Sequence, residues 1–152
     1  MSLAFFCTNF RWAAPLARRS GAMALMSTNS TAGSQRIHIL GVGNLGKYVA
    51  RGLRKACPEL PITLLFHRPD LQSQWDDGGK AIEYTRETYV DKTSGFDVEI
   101  IPQDVSEVGN LPPISNLILL TKTYNSTLSL RRVKSLLSEK STIVFVQNGI
   151  GW

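Results

Sequence analysis

An apolar pentad that runs directly into a three-glycine turn constrains this chain more than any other feature. Residues 36–40 read RIHIL, which predicts a short strand, and residues 41–46 read GVGNLG, a G-x-G-x-x-G pattern. In that place the first glycine permits a tight turn, the second lets a ligand approach the backbone, and the third lets a helix pack closely on the strand. Apolar residues recur at helical spacing from Leu45 to Ala56, so a helix is expected there. Such a helix offers unpaired N–H groups and a positive dipole end to phosphates.

The bulk properties fit one globular domain and exclude some classes of partner. The chain has 152 residues, 43% of them hydrophobic. Its formal charge of +5 is uneven, because residues 1–35 carry three arginines and no acid. The remainder holds 14 basic and 12 acidic residues, so the basic balance predicts no nucleic-acid partner. No stretch has the roughly 18 uninterrupted apolar residues of a membrane helix, so no membrane partner is predicted.

Residues 1–35 are predicted to be a targeting sequence and a flexible lead-in rather than part of the fold. They combine aromatic residues, arginines, Ser and Thr without an acid, which is the composition of a mitochondrial transit peptide. Secretion fits less well, because polar residues interrupt the short apolar run. Initiation at Met26 would instead give a cytoplasmic form, and this alternative stays open. With Cys7 removed, Cys57 alone cannot form an intrachain disulfide, which suits a reducing compartment.

Two further apolar runs predict strands that are covered on both faces. Residues 62–66 read ITLLF and residues 116–121 read NLILLT, and such near-continuous runs are typical of parallel sheets. Strand, helix and strand over residues 36–66 form one right-handed crossover unit. The predicted fold class is therefore α/β, a Rossmann-like doubly wound parallel sheet over residues 36–152.

The stretch between these strands, residues 69–113, is the least regular. Within it, residues 75–79 predict a turn, and residues 81–90 and 96–101 predict short strands joined near residues 94–95. No histidine accompanies the acids of this stretch, so they are interpreted as solvated loop side chains and no metal site is predicted. These acids are Asp76, Asp77, Glu83 and Glu87.

One more helix and strand are predicted near the end of the chain. The helix is expected from about residue 126 to residue 138, and the strand over residues 142–146. The residues expected on the inward side of the helix are Leu130, Val133 and Leu137. Those expected to face solvent are Arg131, Arg132 and Lys134.

Four strand ends of the predicted sheet carry residues suited to a ligand. In an open parallel sheet, ligands bind beyond the carboxyl ends of the strands. The marked ends are the glycine turn, residues 67–68, residues 122–125 and residues 147–151. Arg68 stands where an acidic residue would bind the ribose of NAD, and a guanidinium there can instead bind a 2′-phosphate through two parallel bonds. NADP is therefore predicted over NAD, with a solvated loop arginine as the alternative.

Lys122 and Asn148 are candidates to meet the nicotinamide or its substrate. Lys122 comes directly after a buried strand, where a cation would reach the bound ligand. Asn148 could donate a hydrogen bond to a cofactor or substrate oxygen. A surface lysine and a plain Asn-Gly turn are the alternatives, but both residues lie at the predicted switch-point edge, which favours a site.

With these residues in place, the chain resembles the ketopantoate reductase family, the NADP-dependent 2-dehydropantoate 2-reductases. The resemblance rests on residues 39–46 (ILGVGNLG), Arg68, residues 119–125 (LLTKTYN) and residues 146–151 (VQNGIG), which occur in the family's order. The lysine and the Gln-Asn-Gly ending are its most specific parts, because a general Rossmann protein needs neither.

The resemblance implies an oxidoreductase that transfers a hydride from NADPH to the ketone of 2-dehydropantoate, a small-molecule substrate, giving pantoate on the route to coenzyme A. It implies that Arg68 binds the 2′-phosphate and that Asn125 contacts the cofactor. Lys122 and Asn148 would lie beside the nicotinamide and the substrate. A homodimer of the full-length form stays open. The residues that would hold the pyrophosphate are Gly41, Val42, Gly43, Asn44, Leu45 and Gly46.

The family continues into a helical C-terminal domain, which supplies a catalytic lysine as the acid and a glutamate that helps to hold the substrate. That domain is absent from residues 1–152, so no catalytic residue is assigned in this chain. The Rossmann domain is expected to be truncated and inactive by itself. Two alternatives stay open: another Rossmann dehydrogenase of small hydroxy or imino acids, and a non-catalytic dinucleotide-binding regulatory module.

Overall fold

The computed structural model describes residues 35–102 and 111–148. Residues 1–34 of the predicted transit peptide and lead-in, and residues 149–152 of the last marked strand end, lie outside this described part. The helices are α1 (Asn44–Ala56), α2 (Pro69–Asp77) and α3 (Thr123–Val133), and a 3-10 turn follows at Lys134–Leu136. The strands are β1 (Ile37–Leu40), β2 (Ile62–Phe66), β3 (Ile82–Arg86), β4 (Tyr89–Thr93), β5 (Asp97–Ile100), β6 (Ile114–Leu119) and β7 (Leu137–Phe145).

Five parallel strands in the order β5-β2-β1-β6-β7 form the central sheet, and β3 and β4 pair as a separate antiparallel hairpin. Strand β1 pairs with β2 on one side and with β6 on the other. The strand order therefore reverses at β1, which is the switch point of a doubly wound sheet. This confirms the predicted Rossmann-like α/β fold.

Apolar clusters cover both faces of the sheet. One cluster joins Leu64 of β2 to Ala50 of α1, and the other joins Leu65 of the same strand to Val133 of α3. Successive side chains of a strand point to opposite faces, so α1 and α3 cover opposite sides. All five residues of β2 are buried, which confirms the expectation of a strand covered on both faces.

The irregular stretch contains a helix that the sequence analysis missed. The turn predicted for residues 75–79 is wrong at residues 75–77, which complete α2. Pro69 suits the first position of a helix, because its fixed φ is already helical. Trp75 packs edge-on against Phe66 and Phe96, with 6.2 Å between ring centroids in each pair. This tertiary packing stabilises a helix with no fully buried residue of its own.

The single strand predicted over residues 81–90 is also wrong, because a turn at residues 87–88 divides it into β3 and β4. Polar contacts hold the hairpin against α1. Arg51 of α1 forms an ion pair with Asp91, and its guanidinium lies 4.5 Å from the ring centroid of Tyr84. The second predicted strand, near residues 96–101, is confirmed as β5 of the main sheet.

The last helix and strand both begin earlier than predicted. Helix α3 starts at Thr123, a 3-10 turn ends it, and β7 starts already at Leu137. The predicted inward positions Leu130 and Val133 are confirmed, because Val133 is fully buried and Leu130 packs against the same cluster. Leu137 also packs against this cluster, but its predicted place on the helix is wrong, because it begins β7.

His38 is an unusual residue for the centre of this sheet. It is 2% exposed, so its imidazole is almost completely shielded from solvent. Its register neighbours are Thr63 in β2 and Leu117 in β6. Burial lowers the pKa of His38 below 6.5, the Asn116 backbone partly opposes this shift, and the Arg36 cation adds to it.

We expect the free energy of unfolding to fall as the pH drops below 6.5, because the unfolded chain then binds a proton at His38 that the folded chain does not. One such group contributes a slope of at most about 1.4 kcal/mol per pH unit. Urea denaturation of the wild type and of His38→Leu between pH 5 and pH 8 measures this. The variant should lose that part of the pH dependence. Identical pH profiles in the two proteins would contradict the assignment.

Candidate functional site

The glycine turn is shaped by two close backbone approaches. Gly41 has a φ of +104°, and a Cβ there would lie 2.7 Å from the carbonyl carbon of Leu120. A Cβ on Gly46 would overlap the carbonyl oxygen of Gly41. Both positions therefore require glycine for the fold itself, as the sequence predicted.

Gly43 differs from the other two glycines, because nothing within 4 Å would meet a Cβ there. The protein's own packing therefore does not demand glycine at this position. The open space lies at the start of α1, whose N-terminus has no side-chain cap and no acid in the first turn. This combination suits an anion that approaches the backbone.

Helix α1 buries the face that contains its closest backbone approach. The buried residues of the helix are Gly46 and Ala50, and Leu53 packs against the same core cluster. Leu45 is 49% exposed and borders a cavity beside the turn. A Cβ at Gly46 would overlap the Gly41 carbonyl oxygen, so this face can lie against the turn only with glycine there.

Two cavities flank the carboxyl ends of β1 and β6. The first, about 430 Å³, lies along Gly43 to Gly46 and includes Lys122 and Asn148; we call it the glycine-turn cavity. The second, about 220 Å³, lies between the end of β2 and helix α3; we call it the α3 cavity. Thr121 lines both, so the two cavities meet at the switch point.

The structure distributes the predicted cofactor residues over three cavities. Gly43, Asn44, Leu45, Gly46, Lys122 and Asn148 line the glycine-turn cavity. Gly41 and Asn125 line the α3 cavity. Val42 lines a different cavity of about 400 Å³, which also includes Lys47 and Trp75.

Hydrogen bonds fix Lys122 and Asn148 at the same cavity. The Gln147 amide donates to the Thr121 carbonyl oxygen at 2.9 Å and to the Ser126 hydroxyl. The Thr123 hydroxyl donates to the Asn148 carbonyl oxygen at 2.9 Å. These bonds tie the end of β7 to the start of α3. Sequence reasoning missed Gln147 and Ser126 as positioning residues, although Gln147 stood in the Gln-Asn-Gly signal.

Lys122 is exposed at the start of α3, and its ammonium lies 5.9 Å from the ring centroid of Tyr124. No acid forms an ion pair with it among residues 35–102 and 111–148. Its charge is thus available to a ligand in the glycine-turn cavity.

Arg68 lies at the N-terminal boundary of α2 and is half-exposed, with its Nε 3.6 Å from a carboxylate oxygen of Asp70. It does not line the α3 cavity, but its neighbour His67 does. Burial lowers the pKa of His67 most, the cations of Arg68 and Arg132 lower it further, and Asp70 opposes them.

Arg132 is half-exposed, and the sequence analysis missed that it lines the α3 cavity together with His67. The inward residues of α3 pack on the core, and a second set of residues on the same helix borders this cavity. Arg131 and Lys134 are exposed, as expected.

Other kinds of site are not seen in the described residues. No group of three or more His, Cys, Asp or Glu side chains there could hold a metal ion. No helix of that part of the chain has the length and apolar character needed to cross a bilayer.

Residues 37–152 match the family model of ketopantoate reductase (PanE/ApbA). The matched range includes every strand of the sheet and both cavities that meet at Thr121. The chain belongs to the ketopantoate reductase family. This family consists of oxidoreductases.

Curated relatives cover the same region. The ketoisovalerate reductase BEA2 of Gibberella intermedia is 33% identical over 130 residues, and the 2-dehydropantoate 2-reductase of Saccharomyces cerevisiae is 27% identical over 115 residues. These alignments cover 80% and 76% of this chain but 33% and 30% of those proteins. The chain therefore spans about a third of the length of the curated relatives it matches.

Solved structures show the same fold. The 2-dehydropantoate 2-reductase from Geobacter metallireducens has a TM-score of 0.55 at 21% identity and matches over 76% of this chain and 35% of its own. A ternary structure of D-mandelate dehydrogenase with NADH and anilino(oxo)acetate has a TM-score of 0.58 at 21% identity, over 76% of this chain and 34% of its own.

We expect Gly43→Ala to weaken dinucleotide binding while leaving the fold intact. The added methyl group meets no protein atom, but it fills space that the G-x-G-x-x-G pattern assigns to a pyrophosphate. Stability should change by less than about 0.5 kcal/mol, whereas affinity for NADPH should fall by about tenfold or more. Calorimetric titration and urea denaturation measure the two effects.

Gly52→Ala is the matched control, because Gly52 lies in α1 and also has open space at its Cβ. This variant should gain about 0.5–1 kcal/mol of stability from the better helix former and bind NADPH unchanged. Equal nucleotide affinity in the two variants would show that the space beside Gly43 is not used.

Proposed function

We propose that this chain is the NADP-binding part of an oxidoreductase that reduces a short branched 2-oxo acid. The observation that carries this proposal is the pair of cavities meeting at Thr121, on either side of the switch point. Membership of the ketopantoate reductase family supports a nicotinamide dinucleotide as the ligand that spans them.

The residues present fit such a ligand. The open space beside Gly43 and the uncapped N-terminus of α1 suit a pyrophosphate. Arg68, which follows β2 directly, is the residue that we propose binds a 2′-phosphate, because a guanidinium can form two parallel bonds to it. When bound, NADPH supplies a hydride to a carbonyl carbon.

Lys122 and Asn148 are the candidates to hold the substrate. An ammonium group beside the glycine-turn cavity favours an acid with a carboxylate, and the amide of Asn148 can donate to a ketone oxygen. The Gln147 and Thr123 hydrogen bonds hold the backbone next to both residues, because they end on the carbonyl oxygens of Thr121 and Asn148.

Two substrates have direct support from relatives. Ketoisovalerate and 2-dehydropantoate, the acids named for the curated relatives, are both short 2-oxo acids with a branched carbon beside the ketone. We propose 2-dehydropantoate as the substrate, with reduction to pantoate for coenzyme A synthesis. Ketoisovalerate is the second candidate, because the ketoisovalerate reductases are more similar to this chain in sequence than the yeast 2-dehydropantoate 2-reductase is.

We further propose that groups outside this domain complete the reaction. Adding either acid should change the fluorescence of NADPH bound to the 152-residue chain. The change should occur at a lower concentration of 2-dehydropantoate than of ketoisovalerate. The absorbance of NADPH should stay constant, because no catalytic acid is assigned here. Steady NADPH oxidation would contradict the proposed inactivity, and the reverse concentration order would favour ketoisovalerate.

For location, we propose that residues 1–35 direct import into mitochondria. Amino-terminal sequencing of the protein from purified mitochondria should find a mature N-terminus between the predicted targeting sequence and β1. A protein found only in the cytoplasm with a start at Met26 would contradict this proposal.

Arg68→Ala should reduce the affinity for NADPH by about tenfold and leave the affinity for NADH unchanged. A charge-assisted contact to the 2′-phosphate is lost, whereas NADH has no such group. Arg86→Ala is the control, because Arg86 is an exposed arginine at the end of β3, outside both cavities. Equal losses for the two nucleotides in Arg68→Ala would argue against NADP recognition at this residue.

A further inference from the structure

One face of α3 forms a wall of the α3 cavity. The helix contributes Asn125, Leu128, Ser129 and Arg132, which recur at spacings of three and four residues. At 1.5 Å per residue, the stripe from Asn125 to Arg132 is about 10 Å long. Arg132 therefore lies about two turns beyond Asn125, and its charge acts on His67, which follows β2.

The lining of the α3 cavity mixes apolar and polar groups. Leu40 and Leu128 supply apolar surface, and Thr121, Asn125 and Ser129 supply hydrogen-bonding groups. This mixture suits a nucleoside, which has a flat apolar ring and polar edges.

The charge at the β2 end of the cavity is positive. Arg132 lines the cavity, and Arg68 lies beside His67. Asp70, the acid of this group, is 3.6 Å from Arg68, whereas Arg132 has no ion-pair partner within the described part of the chain. Burial lowers the pKa of His67 most, and the cations of both Arg68 and Arg132 lower it further, so both lie near the same imidazole.

We propose that Arg132 is a second 2′-phosphate-binding residue, acting with Arg68, so that helix α3 and the end of β2 together select NADP. The inference rests on the proposed function, since the anion in question is the phosphate of that cofactor. A phosphate dianion matches two guanidinium groups better than one. Sequence position alone gave no sign of this pairing, because 64 residues of chain separate Arg68 and Arg132.

The test compares Arg132→Ala with Arg131→Ala in the 152-residue chain. Arg131 is the adjacent exposed arginine on the solvent side of α3, so its removal changes the net charge equally. The ligands are NADPH, NADH and adenosine 2′,5′-bisphosphate, which keeps the 2′-phosphate and lacks the nicotinamide. Arg132→Ala should lower the affinity for NADPH and for the bisphosphate by about tenfold and leave the affinity for NADH unchanged. Arg131→Ala should change none of the three affinities.

Arg132→Lys gives a second readout. Lysine keeps the charge but loses the planar fork, so it should restore only part of the NADPH affinity. Urea denaturation should give the same midpoint for all three variants, which separates ligand contact from folding.

Different results would overturn the role of Arg132 and the proposed function. Equal losses of NADPH and NADH affinity in Arg132→Ala, or no loss of either, would overturn the role of Arg132 and leave the proposed function standing. A wild-type chain that binds neither nucleotide would overturn both.

Discussion

The backbone contact between the glycine turn and the end of β6 is the constraint on which the rest of the site depends. Gly41 lies so close to the backbone of Leu120 that no side chain fits between them, and the amide of Leu120 donates to the Leu40 carbonyl oxygen at 2.8 Å. Gly46 in turn packs on the carbonyl of Gly41. Three chain segments therefore meet through backbone atoms alone. The start of α1 and the ends of β1 and β6 are fixed relative to one another, and the two cavities form on either side of this contact.

A second set of contacts extends this rigid edge to β7. The Gln147 side chain bridges the Thr121 carbonyl and the Ser126 hydroxyl, and Thr123 holds the backbone of Asn148. Loops after parallel strands are usually the most variable parts of such a sheet. Here hydrogen bonds join the segment after β6 to the segment after β7, which brings the backbones at Lys122 and Asn148 to one cavity.

Some cations of the protein are paired with carboxylates, and others have no acidic partner among the described residues and border a cavity. Arg51 and Lys55 of α1 are engaged by Asp91 of the hairpin, and Arg36 by Asp97. Lys122 and Arg132 lack an acidic partner among the described residues and border the two cavities. Asp91 of the hairpin thus offsets part of the positive charge of α1, while Lys122 and Arg132 lie at the edge of the sheet that a dinucleotide would occupy.

The sequence by itself determined the sheet, the glycine turn and the strand ends that carry the site, because each depends on local signals. Apolar runs specify buried parallel strands, and the requirement for glycine at residues 41 and 46 follows from a motif with fixed spacing. Only the tertiary structure decided the helix at 69–77 and the division into β3 and β4, because Trp75 and Arg51 act through partners distant in the chain. The same holds for Arg132. Its neighbours in sequence mark it as solvent-facing, and only the packing of α3 across the sheet brings it to His67.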